Sequence, residues 1–572
     1  MAVPGANARK SRLIDGGLIL GISVVAAFLS GAQRWTGFNS PDSEFYASLA
    51  LFGDDVAGRA IDPAYTTTRL GYIAPVHLLT STFGTWTGFA LWRFALIAAI
   101  VGSLYGLVRL ASPWPLAVAV ALIGSLNTVV MSFAGNTYLT GTLISALLLL
   151  LLVGSWRALG SPHRHWVPAL LSGALLAWLV MVNPYGLLLG FAMWLGLWAM
   201  ALVHDGSGRW QRLWRDAAAG LTGFIVVLGA FLVAGLALFP GRSWLGTYLD
   251  WNARLDYSVF VGDPDVWHRD IALLVPLAAV LIAGIAAWLG RERTAAVAGL
   301  VVATLNWVFT LGYLWLVPGP WLESPTYVAL LWPGALAAIA LSFAAVVGRE
   351  RLGWPAWLLA LASLPLLLWS GRWDQDLSGL QGLALLAGIV VLFLVAAVVA
   401  RHWSNRVGAG VLVIASLASF AISAQLLQNG RGLLGIYGQF PFRSAYVDFQ
   451  IEDLMRSKVA AQEFVVSQTT GNDTIGVWAD ADRLTAGIAA MQLWSNYNAV
   501  GYAPTLTPEE ASALEAIRPS AIAMYAPSTE QIYAFWQSLP PQARASVPDC
   551  TAVPFLGIGS PEAHVCVTRL TW

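Results

Sequence analysis

The chain has 572 residues, 58% of them hydrophobic and only 11% charged, with a mean hydropathy of +0.67 and a formal net charge of zero. A soluble globular chain carries about 25% charged residues, so this balance places most of the chain in lipid. No basic surface is available to neutralise phosphates, which excludes nucleic acid as a partner.

The N-terminus is basic (Arg9, Lys10, Arg12) and leads into an apolar run from Leu13 to Leu29. The segment behind it has no small-residue cleavage pattern and continues Gln33-Arg34-Trp35, so the run reads as a retained helix rather than a removed signal. Further apolar runs follow at the spacing a bilayer demands, roughly 20 residues each. They lie near 87–108, 115–133, 138–154, 166–182, 185–203, 217–239, 271–289, 294–316, 326–348, 354–370, 379–400 and 407–427. The expectation is an α-helical polytopic membrane domain over 1–427, with about thirteen transmembrane helices.

Loop charge orients it. One set of loops carries Arg109, Arg157, Arg164, Arg209, Arg212, Arg215, Arg291, Arg293, Arg349, Arg351, Arg401 and Arg406. The short loops of the other set carry none at 134–137, 183–184 and 317–325, and only Arg372 at 371–378. The positive-inside rule then puts the N-terminus in the cytoplasm and residues 428–572 outside it. Both long inter-helix segments, 33–86 and 240–270, fall on the outer face, and irregular polar backbone kept against an apolar trend is where function concentrates. Lys10 and Lys458 are the two lysines among many arginines, the usage of a GC-rich bacterial genome, so the expected location is a bacterial cytoplasmic membrane.

In residues 428–572, strand-like runs at 474–479, 520–525 and 563–569 alternate with helical patterns near 444–467, 482–492, 507–517 and 528–538. That alternation predicts a small extracytoplasmic α/β domain. Thr507-Pro508-Glu509-Glu510 reads as a helix start, with a Thr cap, Pro at the first position and acids in the first turn. Cys550 and Cys566 are the two cysteines, too few for a zinc site, and in an oxidising compartment they pair as a disulfide. Cys566 is expected in the last strand and Cys550 in the loop before it.

The outer segment behind the first helix reads Asn39-Ser40-Pro41-Asp42-Ser43-Glu44-Phe45-Tyr46, followed by Tyr65-Thr66-Thr67-Thr68-Arg69-Leu70-Gly71-Tyr72 and then Trp92-Arg93. With the topology, these residues resemble the GT-C superfamily of membrane glycosyltransferases, which includes protein O-mannosyltransferases and aminoarabinose transferases. Members carry an acidic motif in the first outer loop, take polyprenyl-phosphate sugars as donors, and often append an outer C-terminal domain. The motif resemblance covers roughly 1–110. It implies Asp42 and Glu44 as catalytic acids, and Asn136 stands where the family has its second acid.

The residues can also be read alone. Asp42 and Glu44 are two apart, about 200° around a helix, so they cannot form an acid–base dyad, whereas Asp42 and Tyr46 share a face. A single carboxylate suits a displacement in which it takes the proton of an acceptor hydroxyl while lipid phosphate leaves. A phosphate leaving group needs fixed cations, and Arg69 and Arg93 are the ones at hand, with Tyr46, Tyr72 and Glu323 as further substrate contacts. Asp42 also fits an ordinary helix start, Arg93 a snorkelling residue, and Arg69 a solvated loop arginine. Asp54 and Asp55 follow a glycine and read as a turn, and Asn127 and Asn306 read as ties between helices.

No metal signature or Walker loop is present, and no cytoplasmic loop is long enough for a nucleotide-sugar fold. No protein-bound cofactor is implied, though a divalent cation is compatible with the chemistry. The reading is a hexosyl- or pentosyltransferase that inverts the donor carbon and transfers sugar to a glycan, lipid or protein acceptor of the cell envelope, with membrane lipid as its surroundings. A transporter or flippase of a lipid-linked sugar, or a non-catalytic envelope-assembly protein, shares this architecture. Transporters carry internal repeats and mid-membrane charges; here no repeat is evident and ionisable residues crowd at the outer ends.

Overall fold

The computed structural model describes residues 5–29, 41–57, 65–112, 114–125, 139–159, 166–204, 209–254, 271–316, 325–348, eight positions between 387 and 398, and 445–470, 473–480, 499–501, 505–554 and 562–572. The expected helices at 354–370 and 407–427, most of 379–400, the helix at 482–492 and Asn127 lie outside the described residues.

Among the described residues the apolar runs are helices: α1 (Gly5–Leu29), then α2 (Pro41–Phe52), α3 (Asp54–Ala57) and a 3₁₀ turn (Tyr65–Thr68), then α4 (Leu70–Phe83) and α5 (Thr85–Arg109). They continue as α6 (Trp114–Ser125), α7 (Leu139–Leu159), α8 (Trp166–Val182), α9 (Pro184–His204), α10 (Arg209–Leu238) and α11 (Trp244–Arg254). Then come α12 (Ile271–Leu289), α13 (Arg293–Leu316) and α14 (Pro325–Val347). Proline opens α2, α9 and α14, where its missing N–H costs nothing and its fixed φ is already helical. Among the described residues, three helices are long and apolar enough to cross a membrane: Thr85–Arg109, Trp214–Leu238 and Arg293–Gly312. Six shorter apolar helices accompany them, an architecture that fits a polytopic membrane protein.

Small residues set the closest approach. A Cβ on Gly173 of α8 would overlap the carbonyl of Gly220 on α10, and one on Gly223 would overlap that of Leu170. The two backbones therefore touch, as helices do in lipid where packing and not hydrophobicity holds them. Asn306 of α13 is fully buried, its side chain packed where a Cβ on Gly334 of α14 would fall. At the end read as cytoplasmic, Asp15 of α1 accepts from Tyr105 Oη at 2.5 Å and pairs with Arg109 Nε at 3.2 Å, fastening α1 to α5.

The segment read as the first outer loop differs from expectation in two ways. Residues 33–86 are not irregular over their described part: α2, α3, the 3₁₀ turn and α4 fill it, and α4 packs into the bundle against α5, α8 and α10. Asp54 and Asp55 open a short helix rather than a turn; the reversal is made one residue earlier by Gly53, at φ +56°.

Residues 445–569 form an α/β unit with helix α15 (Ala445–Gln468), strands β1 (Ile475–Ala479) and β2 (Ala499–Gly501), helix α16 (Pro508–Ile517), strand β3 (Ala521–Ala526), helix α17 (Thr529–Ser538) and strands β4 (Asp549–Pro554) and β5 (Glu562–Arg569). The sheet order is β2-β1-β3-β5-β4, parallel among the first three and antiparallel beyond β3. Side chains alternate along β1: Val477 packs under α15, and Trp478 stacks on Phe535 of α17 on the other face, centroids 4.3 Å apart. Cys550 corrects the sequence reading, because it lies in β4 directly opposite Cys566 of β5, to which it is disulfide-bonded. Helix α15 also reaches the helical bundle: Val459 joins its core, and the Arg456 guanidinium sits 4.5 Å over the Trp86 ring.

Candidate functional site

Asp42 and Glu44 lie in the first turn of α2. Two residues on, Tyr46 turns into the bundle and is buried. Its ring meets Tyr72 of α4 edge-on at 6.0 Å, and Tyr72 meets Trp92 of α5 edge-on at 6.3 Å. Such edge-to-face pairs place the positive rim of one ring on the negative face of the next. The fully buried Arg93 follows Trp92, and its charge reaches the Tyr72 phenol. Burial pushes that phenol's pKa up and the Arg93 charge opposes it, so Tyr72 stays a neutral donor.

The Tyr72 hydroxyl and the Trp92 indole N–H are both buried and both lack a hydrogen-bond partner, as does the Ser48 hydroxyl on α2. Buried polar groups are almost always satisfied, so neighbouring donors left open on two helices are available to a hydroxylated ligand.

A clamp holds the start of α4. Arg69 Nη1 donates to the carbonyl of Val182, the last residue of α8, at 2.6 Å. Trp178 Nε1 donates back to the carbonyl of Gly71 at 2.8 Å, and a Cβ on Gly71 would collide with Val182 and the Met181 backbone. Glycine here permits the contact. On the far side, His77 Nδ1 lies 2.8 Å from the carbonyl of Ala50, tying α4 to α2.

The sequence-predicted residues thus divide. Tyr46, Tyr72 and Arg93 come together in one buried cluster, with Asp42 and Glu44 on the helix that supplies Tyr46. Arg69 stands one turn before Tyr72 and is bonded to α8. Glu323 and Asn136 lie outside the described residues. Sequence reasoning missed Ser48 and Trp178, and it treated Trp92 only as the neighbour of Arg93. Among the described residues, no group of three His, Cys, Asp or Glu side chains is placed to hold a metal ion.

No family model matches the chain, and no curated protein matches it. Among solved structures it is similar to ArnT from Cupriavidus metallidurans bound to undecaprenyl phosphate, at 14% identity and a TM-score of 0.46, covering 96% of this chain and 97% of that one. The apo state of the same ArnT is similar at 13% identity and a TM-score of 0.47, covering 98% of each chain.

Proposed function

We propose that the protein is an inverting membrane glycosyltransferase that moves a sugar from a polyprenyl-phosphate donor to a cell-envelope acceptor at the outer face. The observation that carries this reading is the Tyr72–Trp92 pair. Two unsatisfied donors on neighbouring aromatic rings, with a buried arginine beside them, suit a hydroxylated ring joined to a phosphate. A site that commits buried donors to substrate hydroxyls discriminates strongly against molecules that lack them.

In the proposed reaction, the Asp42 carboxylate accepts the proton of the acceptor hydroxyl. That oxygen attacks the anomeric carbon from the side opposite the phosphate, the new C–O bond forms with inversion, and the old one breaks. Its electron pair leaves on the lipid phosphate, which needs positive charge rather than a proton, a role for Arg69 and Arg93. Arg93 is buried beside Trp92 and Arg69 is held against α8, so neither side chain would need much ordering to meet a phosphate.

The test is purified protein in lipid nanodiscs and in sealed vesicles, given a panel of radiolabelled polyprenyl-phosphate sugars and crude envelope acceptor. Transfer of label to acceptor is the expected result. Movement of intact donor across the vesicle wall without transfer would make the protein a transporter. Donor that is neither transferred nor moved would make it an assembly factor.

A further inference from the structure

Helix α11 follows the end of α10 after the turn at Gly241, where φ is +80°. At 100° per residue its side chains fall on three arcs. Trp244 and Tyr248 occupy the first: their rings stack 5.7 Å apart, and Trp244 Nε1 donates to the carbonyl of Thr68 at 2.7 Å. Arg242, just before the helix, donates to the carbonyl of Ala57 and pairs with Asp54 at 3.7 Å. This arc is the protein side. Leu245 and Leu249 form the second arc, one turn apart, 56% and 57% exposed. Gly246 and Asp250 form the third, also exposed and open to water.

Two neighbouring leucines facing outwards on a short amphipathic helix call for an apolar cover. Their setting names it. Helix α10, which leads directly into α11, exposes Ile225, Val226, Val233 and Leu236 and is a candidate membrane span. The leucine ridge lies a few residues past the end of that span, beyond the turn at Gly241. An apolar arc between a fixed face and a wet one is the pattern of a helix lying in the interface plane.

We infer that α11 lies flat in the leaflet at the Leu238 end of α10, its Leu245–Leu249 ridge sunk among phospholipid acyl chains. Through Trp244 it holds the 3₁₀ turn that ends one residue before Arg69. If sugar transfer is as proposed above, the helix therefore sets Arg69 at the height of lipid phosphates.

Both native cysteines are locked in the disulfide, so a cysteine introduced in α11 is the one free thiol. The full chain carrying Leu249→Cys, and separately Asp250→Cys, is labelled with an environment-sensitive nitrobenzoxadiazole dye. Each is reconstituted into phosphatidylethanolamine–phosphatidylglycerol vesicles, with and without lipid bearing a shallow doxyl quencher. The label at 249 should emit blue-shifted, be quenched by doxyl lipid and resist aqueous iodide, while the label at 250 should yield to iodide. A label at 249 quenched by iodide like that at 250 overturns the inference, and one shielded from both quenchers does so too, because protein then covers the ridge. Leu245→Cys repeats the reading should Leu249→Cys misfold. No turnover enters the measurement, so it stands or falls apart from the glycosyltransferase assay.

Discussion

Arg69 reaches across to the last residue of α8, its Nη1 donating to the Val182 carbonyl at 2.6 Å, and so links the start of α4 to α8. A helix ends with carbonyls that lack partners, and a guanidinium there satisfies one of them while meeting the negative end of the dipole. Arg69→Ala should therefore cost about 1.5–3 kcal/mol of stability, the worth of a hydrogen bond to a charged group. If Arg69 also faces donor phosphate, the same variant raises KM for the lipid-linked sugar, and Arg69→Lys does not restore it, because an ammonium lacks the planar fork. Thermal unfolding and donor-dependent initial rates, measured together, separate the two roles. An unchanged KM with a lowered Tm leaves Arg69 as a clamp alone.

Helix contact at Gly173 gives the second prediction. Gly173→Ala places a methyl on the Gly220 carbonyl, so α8 and α10 must part. Overpacking of this kind costs about 1–3 kcal/mol. Gly229→Ala on the same α10 meets nothing within 4 Å and serves as the control, with Tm unchanged. The comparison is made in nanodiscs; equal Tm values for the two variants would mean that the seam is looser than described.

The Cys550–Cys566 bridge closes a short loop, with a sequence separation of 16. A loop of that size is worth about 3 kcal/mol by restriction of the unfolded chain. Reductant should lower the unfolding temperature of the α/β unit, and the Cys550→Ser, Cys566→Ser double variant should start at the lower value and ignore reductant. Mass spectrometry without reduction should find the linked peptides. Two freely alkylated thiols in the native protein would remove the basis for both expectations.

Local signals were legible in the sequence where a few adjacent residues settle the matter. Thr507 and Glu510 were readable as a helix start, and they make both bonds of a capping box, at 3.2 and 2.8 Å. The runs of 271–289 and 166–182 coincide with α12 and α8 because twenty apolar residues admit little else. Strand β4, Asp-Cys-Thr-Ala-Val-Pro, was not readable, since it has weak alternation and is a strand by virtue of pairing with β5. The candidate site follows the same division. Tyr46, Tyr72 and Arg93 drew notice through their chemistry. Trp178, bonded to a carbonyl 107 positions away, carries no mark in the chain, and the open N–H of Trp92 exists only once α4 and α5 are packed.

Acid should weaken the α/β unit through Asp473. Burial raises its pKa, but the backbone N–H of Thr470, Arg569, the Thr470 hydroxyl and the Ser520 hydroxyl together outweigh burial and bring it from 3.8 to about 2. Arg569 Nη1 stands 2.6 Å from the carboxylate. A carboxylate held lower in the folded state than in the unfolded chain adds stability above 3.8, and that stability is lost as pH falls towards about 2. Denaturant unfolding followed by tryptophan emission should show this acid-side loss, and Asp473→Asn should be weaker at neutral pH with the loss flattened. An identical pH profile in wild type and variant would assign the acid sensitivity elsewhere.

The decisive variant is Asp42→Asn. Position 42 is in the first turn of α2, where Asn keeps the size of the side chain and tolerates a helix start but cannot accept the acceptor's proton. Loss of a general base costs about 10²- to 10⁴-fold in rate, so kcat should fall by that factor while donor affinity and Tm hold. Glu44→Gln lies about 200° around the helix and should cost far less. Tyr72→Phe removes the open hydroxyl but keeps the ring between Tyr46 and Trp92; its effect should fall on discrimination among sugars rather than on proton transfer. Initial rates of the three variants on one lipid-linked donor, with Tm recorded beside them, sort base, bystander and binding group. An Asp42→Asn protein that retains most of its kcat would end the single-base mechanism, and a Glu44→Gln protein that loses it would transfer the role to Glu44.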